Sequence, residues 1–367
     1  MKQKIKKLLI LCCMFGLVFG TVTIQAKAAN TTQEQKIKYK VKKVKKKVLM
    51  LPGETRMVST TIPLDSVFES SNPKVVGVTG RGQMIAQKAG TAKITHISGN
   101  VKTIYTVKVN KEVDLIVFAG QSNMCGSGGN SAQAPEVPLG TAYELDMTKK
   151  TYATCILREP FGEGANRDYG LQVTGNYSKK GTIASAFCIN YYKQTKTPVV
   201  GIMCAWGGSS TNTWLNRGLL SKTQSSIKKA KKELKKKKIK VRHVYMVWYQ
   251  GESDAMQGNS ASTYISRMKK IYKKVKKVGV EKIFVIRIGH DMTSPDKDYT
   301  IMKAQEKLCK SNKNFIMVSK KAAKFRTSSY KYYYDSIHLN QKALNAVGYE
   351  AGKAAGKYVK KQSKKKK

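Results

Sequence analysis

From Lys111 onward the chain carries runs that are apolar at nearly every consecutive position: Val113 to Ala119, Pro198 to Trp206, Val244 to Trp248, Lys282 to Ile288 and the shorter Phe315 to Val318. A strand with one face in water alternates apolar and polar residues, whereas a strand buried on both faces does not. Helical patterns fall between these runs. Ile183 to Tyr192 is one; Tyr264, Met268, Ile271, Tyr272 and Val275 mark the i, i+4, i+7, i+8 face of another, lysine-rich on its far side. Ile227, Ala230 and Leu234 give a thinner stripe, and a last helix is expected to start with Asn340 as its cap and to run through Ala343, Val347 and Ala351. Buried strands alternating with helices predict a three-layer α/β domain with a parallel sheet over residues 111–360.

Residues 29–110 follow a different rule. Leu51-Pro52-Gly53-Glu54-Thr55, Ser70-Ser71-Asn72-Pro73 and Gly80-Arg81-Gly82 are turn signals, and between them Val75 to Thr79, Thr91 to Ile97 and Thr103 to Val109 are rich in β-branched residues. Short strands at this spacing predict a small β-sandwich. The stretch SSNPKVVGV, GQMIAQKAGTAKIT and YTVKV resembles the bacterial Ig-like group 2 domain, which implies a spacer or an adhesion module without chemistry of its own.

The amino terminus reads as a secretion signal over residues 1–28. Lys2, Lys4, Lys6 and Lys7 precede a short apolar stretch from Leu8 to Gly20, and Ala26-Lys27-Ala28 supplies a small-residue cleavage site. The stretch is short for a bilayer span, which needs about 20 residues, and no later apolar run suggests a membrane anchor. The expected location is therefore secreted or extracellular. The formal net charge of +47 is carried mostly by lysine, in runs such as Lys45–Lys47, Lys235–Lys238 and a basic tail over 361–367. No helix-turn-helix, zinc-finger spacing or aromatic-plus-basic strand motif accompanies this charge, so nucleic acid is not the expected partner. A solvated surface able to adhere to an anionic cell wall is. Of seven cysteines, Cys12 and Cys13 lie in the signal; Cys125, Cys155, Cys188, Cys204 and Cys309 are an odd number with no paired spacing, so at most one disulfide is expected.

In an open parallel sheet, ligands bind beyond the carboxyl ends of the strands. The five runs deliver, in order, Gly120-Gln121-Ser122-Asn123-Met124; Trp206-Gly207-Gly208-Ser209-Ser210; Trp248-Tyr249-Gln250-Gly251-Glu252-Ser253-Asp254; Gly289-His290-Asp291; and a loop with Asp335-Ser336-Ile337-His338-Leu339. Each block alone is ordinary: a serine beside glycine is commonly a turn residue, and Asp-x-x-His is commonly a cap. Together they crowd small, polar and ionisable groups onto one edge of the sheet.

Those blocks, in that order, resemble the SGNH/GDSL hydrolase superfamily, in its branch of sialate O-acetylesterase-like and family 6 carbohydrate esterases, mostly acetylxylan esterases. The resemblance spans about Asp114 to Tyr349 and implies a flavodoxin-like sheet, removal of acetyl groups from sugar hydroxyls, and no cofactor. Ser122 is then the nucleophile, His338 the base that takes its proton, and Asp335 the acid that holds the imidazole. The oxyanion hole draws on the backbone N–H of Ser122, a backbone N–H of Gly207 or Gly208 with Gly208 preferred, and the side-chain amide of Gln250. The superfamily generally carries asparagine where Gln250 stands. Glu252, two residues on, is an alternative supporting acid, and Asp335 is preferred because it shares a loop with His338.

Of the other histidines, His290 is the one rival base, read as a polar wall of the cleft; His96 and His243 are read as surface or packing residues. No His-Glu-x-x-His or Cys-x-x-Cys pattern suggests a metal. Gly126-Ser127-Gly128-Gly129 lacks the ending of a phosphate loop and is expected as a flexible loop near the site, while Arg158 to Tyr177 is expected to wall the pocket. The sequence thus points to a secreted serine esterase for acetylated carbohydrate such as xylan. A sialate or other short-chain esterase, and a non-catalytic glycan- or wall-binding adhesin, stand as alternatives.

Overall fold

The computed structural model describes residues 39–44, 47–146, 153–162, 180–325 and 331–365. The expected signal over 1–28 and most of the expected pocket wall from Arg158 to Tyr177 lie outside them. Eight short strands come first: Lys40–Lys43 (β1), Val48–Met50 (β2), Thr55–Met57 (β3), Val67–Ser70 (β4), Val76–Val78 (β5), Gln83–Ala86 (β6), Gly90–Ser98 (β7) and Val101–Val109 (β8). They form two sheets, β1-β8-β7-β4 and β3-β6-β5, with β2 also pairing β8 so that β1 and β2 lie end to end along one edge. Inward residues at every second position, Met84 and Ala86 on β6 and Ala92 and Ile94 on β7, fill the space between the sheets with Met50, Val75, Val76, Val107 and Val109. The turn signals and strands read from the sequence lie where this sandwich has them.

The second sheet holds Glu112–Gly120 (β9), Ala142–Asp146 (β10), Ala153–Ile156 (β11), Val199–Ala205 (β12), Lys240–Tyr249 (β13), Lys282–Ile286 (β14) and Phe315–Ser319 (β15). Their order is β11-β10-β12-β9-β13-β14-β15, and every neighbouring pair is parallel except β10 with β11. The five strands expected from apolar runs are contiguous and take the flavodoxin-like order β12-β9-β13-β14-β15; the hairpin β10–β11 extends the sheet beyond β12. Strand β12 is buried at all seven positions, as its unbroken apolar sequence requires.

Helices Ala184–Thr195 (α2) and Gln341–Lys365 (α8) pack together on one face, and Leu219–Lys236 (α4), Ala261–Lys276 (α6) and Pro295–Ser311 (α7) cover the other; Ser122–Cys125 (α1), Thr211–Asn216 (α3) and Glu252–Met256 (α5) are short helices at strand ends. Helix α6 starts where Ser260 accepts from the Thr263 N–H at 3.2 Å, and it buries the five residues of its apolar stripe. Each such side chain contributes roughly 1.5–3 kcal/mol of transfer free energy before ordering costs. Asn340 caps α8 through the Ala343 N–H at 3.2 Å. That helix continues to Lys365, so most of the stretch expected as a basic tail from 361 is helical.

At the amino end of β9 the buried Asp114 accepts from Arg242 at 2.9 and 2.7 Å and from the Tyr191 hydroxyl at 2.7 Å, tying β9, β13 and α2. The sandwich joins this same end. Tyr143 on β10 donates to Glu54 at 2.8 Å, Glu54 also pairs with Arg56, and Leu51 is buried in the core of the larger domain. The five cysteines of the described chain are all free thiols. No helix among the described residues is long and apolar enough to cross a membrane.

Candidate active site

Strand β9 ends in Gly120, whose φ of +147° and position against the Tyr249 carbonyl leave no room for a Cβ. The chain turns there onto β13, Gln121 donating its N–H to Tyr249 O at 3.0 Å, and Ser122 begins α1 with 8% of its surface exposed. Because β12 lies on one side of β9 and β13 on the other, Ser122 and Gln250 flank the point where the strand order reverses.

Asp335 and His338 are bound to one another. His338 Nδ1 is 2.7 Å from Asp335 Oδ2, while Asp335 Oδ1 accepts the N–H groups of His338 at 2.7 Å and Ile337 at 2.9 Å. Partial burial pushes the Asp335 carboxyl up, but the His338 side chain and these N–H groups outweigh it and hold it below the usual range. The carboxylate therefore fixes both the loop and the ring.

The connection from this loop to Ser122 runs through Asn123. Its Oδ1 accepts from Leu339 N at 2.9 Å and its Nδ2 donates to Ile337 O at 3.2 Å, so one side chain grips the backbone on both sides of His338. Asn123 Nδ2 also donates to Glu252 Oε1 at 2.8 Å. Glu252 is buried, its Oε2 has no hydrogen-bond partner among the described residues, and burial raises its carboxyl above the usual range. Between the two acids, then, Asp335 contacts the imidazole and Glu252 contacts the amide that positions its loop. Among the described residues no hydrogen bond joins the Ser122 hydroxyl to His338.

Gly207 and Gly208 are exposed beside Ser122, and a Cβ built on Gly207 would lie 4.0 Å from that of Ser122. The Gly207 backbone bonds the Cys125 sulfur, while Gly208, at φ +65°, faces open space. Burial pushes the Cys125 thiol up to about 12, so it is no thiolate near neutrality.

Gln250 serves another purpose than the sequence suggested. It is fully buried, and its Nε2 lies 2.6 Å from Asp254 Oδ2, 3.1 Å from Ser209 O and 3.2 Å from Gln121 Oε1. An amide has two N–H groups to give, and three acceptors already compete for them. In this arrangement the expected free oxyanion donor is instead the tie between the ends of β9, β12 and β13. Asp254 completes the tie, accepting from Thr211 N at 2.7 Å and Thr211 Oγ1 at 2.6 Å at the start of α3.

The structure also corrects the glycine run. Residues 126–129 are buried, with Gly128 against Leu339 O and His338 Cβ and Gly129 against Gly181 O, a packed floor rather than a flexible loop. His290 is buried edge-on against Tyr299, with ring centroids 5.3 Å apart. His96 stacks on Phe68, and His243 bonds Glu281 at the amino end of β13. Sequence reasoning gave no role to Asn123, Gln121 or Asp254, although all three stand inside blocks it singled out; an uncharged amide or a carboxylate shows its partners only when strands distant in sequence are brought together.

Residues 112–357 match the family model described as carbohydrate esterase, sialic acid-specific acetylesterase. None of the curated proteins compared with the chain matches it. Among solved structures the chain is similar to a protein from Arabidopsis thaliana, with 19% identity over 67% of this chain and 97% of that one and a TM-score of 0.46. It is also similar to a carbohydrate acetylesterase from Xanthomonas citri, with 14% identity over 86% and 72% and a TM-score of 0.41. NanS is similar at 13% identity over 70% and 99%, with a TM-score of 0.43. The family match spans two thirds of the sequence and takes in every block at the carboxyl edge of the sheet, so the chain belongs to the carbohydrate esterase family of sialic acid-specific acetylesterases.

Proposed function

We propose that the protein is a secreted serine esterase that removes O-acetyl groups from carbohydrate, with acetylated xylan or a similar plant glycan as its substrate class. Ser122 Oγ attacks the acetyl carbonyl while His338 takes its proton, and the Asp335 carboxylate stabilises the imidazolium that forms. The tetrahedral oxyanion is held by the backbone N–H groups of Ser122 and Gly208. Collapse expels the sugar hydroxyl, which receives the proton from His338. Water then cleaves the acetyl-serine by the same steps in reverse.

The observation that carries this reading is the Asp335–His338 pair at 2.7 Å, on a loop gripped by the residue next to Ser122. Removal of residues 1–28 and an Ig-like role for the sandwich, as spacer or wall-adhesion module, belong to the same proposal. The family description favours one alternative substrate, an O-acetylated sialic acid. The test is hydrolysis of an aryl acetate, followed by acetate release from acetylated xylan and from O-acetyl sialic acid. Ser122→Ala is expected to lose at least roughly 10³-fold in kcat. Activity unchanged in that variant overturns the mechanism, and the two glycans decide the substrate.

A further inference from the structure

Two hollows open on either side of α3. The first, about 550 Å³, begins at Trp206 and Gly208, the neighbours of the Gly207 that faces Ser122, and passes Asn212, Asn216, Arg217 and Lys222. The second, about 600 Å³, shares Asn212 and Asn216 with the first and is walled on its far side by α6 and its C-cap, through Lys270, Lys273, Lys274 and Lys277. The shared asparagines are bound to each other at 2.8 Å and form a low ridge between the two. A path therefore leads from the catalytic glycine across α3 to a stripe of four lysines.

The four lysines stand at i, i+3, i+4 and i+7, so they share one helix face. All are exposed, no carboxylate lines their hollow, and none pairs with an acid among the described residues. The neighbouring Arg267 is engaged with Asn259 and Asp254. Like charges at this spacing cost a helix a few tenths of a kcal/mol per pair, which offsets much of what Lys273, Lys274 and Lys277 gain from the dipole at the end of α6. Two further hollows, at Lys111–Glu112 and at His243–Lys282, open at the amino ends of the strands, away from Ser122.

We infer that this trough is a subsite for an acidic polysaccharide, whose carboxylate-bearing sugars lie along the α6 lysines while an acetylated sugar of the same chain reaches Ser122. Lysines are flexible point charges with no fixed fork, so a row of them complements negative charge repeated along a mobile polymer rather than one planar group held in a single orientation. Among the described residues the lysine hollow has no aromatic side chain on which a base could stack, Trp206 standing in the other hollow, which argues against a nucleic-acid strand along the lysines. The inference rests on the ester-hydrolase reading of Ser122 and adds to it the charge of the substrate.

The experiment compares acetylated polygalacturonate with the same polymer after its carboxylates are reduced to alcohols. Full-length protein is set beside the combined variant Lys270→Gln, Lys273→Gln, Lys274→Gln and Lys277→Gln. A second variant makes the same charge change on α8: Lys353→Gln, Lys357→Gln, Lys360→Gln and Lys361→Gln. At low salt the α6 variant is expected to lose about tenfold or more in kcat/KM on the acidic polymer, mostly through KM, with loss shrinking as salt rises. It should match the parent on the reduced polymer and on an aryl acetate, and the α8 variant should match the parent throughout. Equal losses from both variants, or no loss from the α6 variant, overturn the subsite. Aryl acetate hydrolysis that survives Ser122→Ala faults the esterase reading instead, so the two failures are told apart.

Discussion

Asn123 and Glu252 are joined by a buried 2.8 Å hydrogen bond, and the same asparagine amide holds the backbone on both sides of His338. The residue after the proposed nucleophile thereby sets where the proposed base stands. Asn123→Ala leaves Ile337 O, Leu339 N and the Glu252 carboxyl without this partner. Each abandoned buried group costs about 1–3 kcal/mol. A lower melting temperature is expected together with roughly a hundredfold fall in kcat and little change in KM. An unchanged kcat in a variant of lowered stability would show that the grip is merely structural.

Asp335→Asn and Glu252→Gln separate the two acids. Asp335 touches the imidazole directly, so its amide variant is expected to lose on the order of 10³–10⁴ in kcat, as when a triad carboxylate is neutralised elsewhere. Glu252 gives its side-chain hydrogen bond to Asn123 rather than to the imidazole, and burial raises its carboxyl, so Glu252→Gln should cost about tenfold or less. The reverse ranking would make Glu252 the supporting acid.

The fate of Gln250 can be read from stability and rate together. Its Nε2 is committed to Asp254, Ser209 O and Gln121, so Gln250→Ala should lower the melting temperature, with activity falling alongside. A free oxyanion donor behaves otherwise: its removal costs about 10²–10³ in kcat with stability intact. Thermal unfolding and aryl acetate kinetics on one preparation distinguish the two.

Asp298, near the start of α7, carries a pH dependence of its own. Burial first, with Glu252 and Asp291 adding to it, pushes its carboxyl from 3.8 up to about 6, against the opposing pull of the Asp291 N–H. Between those values the folded chain keeps a proton that the unfolded chain has released. Its contribution to stability is therefore full below the lower value, falls as pH rises through the window, and is flat above it. Asp298→Asn keeps an oxygen for the Asp291 N–H and removes the titration. Melting curves from pH 4 to 7 should be flatter in the variant, the difference amounting to about 3 kcal/mol or less.

The central sheet could be read from the sequence because burial on both faces leaves an unbroken apolar signature, as in Val199–Ala205. The edge hairpin could not. Ala142–Asp146 is five residues long; it has no unbroken apolar run, and Tyr143-Glu144-Leu145-Asp146 alternates over only four residues, too short a stretch to stand out. At the site, local chemistry was legible and remote geometry was not. Asp335 and His338 are three residues apart and meet within one loop, whereas Asn123 meets Leu339 across 216 residues. Gln250 shows the same limit, since its type allowed a free donor and only the approach of Asp254, Ser209 and Gln121 shows its N–H groups engaged.

The seam of Tyr143, Glu54 and Leu51 lies at the amino end of the large sheet, and Ser122 lies at the carboxyl end. Whatever the sandwich grips, the ester-cleaving edge faces the opposite way. Under the proposed adhesion role, Ser122 would meet polymer arriving from the surrounding medium or from a facing surface, not the material beneath the point of attachment. Because Leu51 and Tyr143 are buried where the two parts meet, parting them would expose apolar surface to water, which opposes a free swing about the seam.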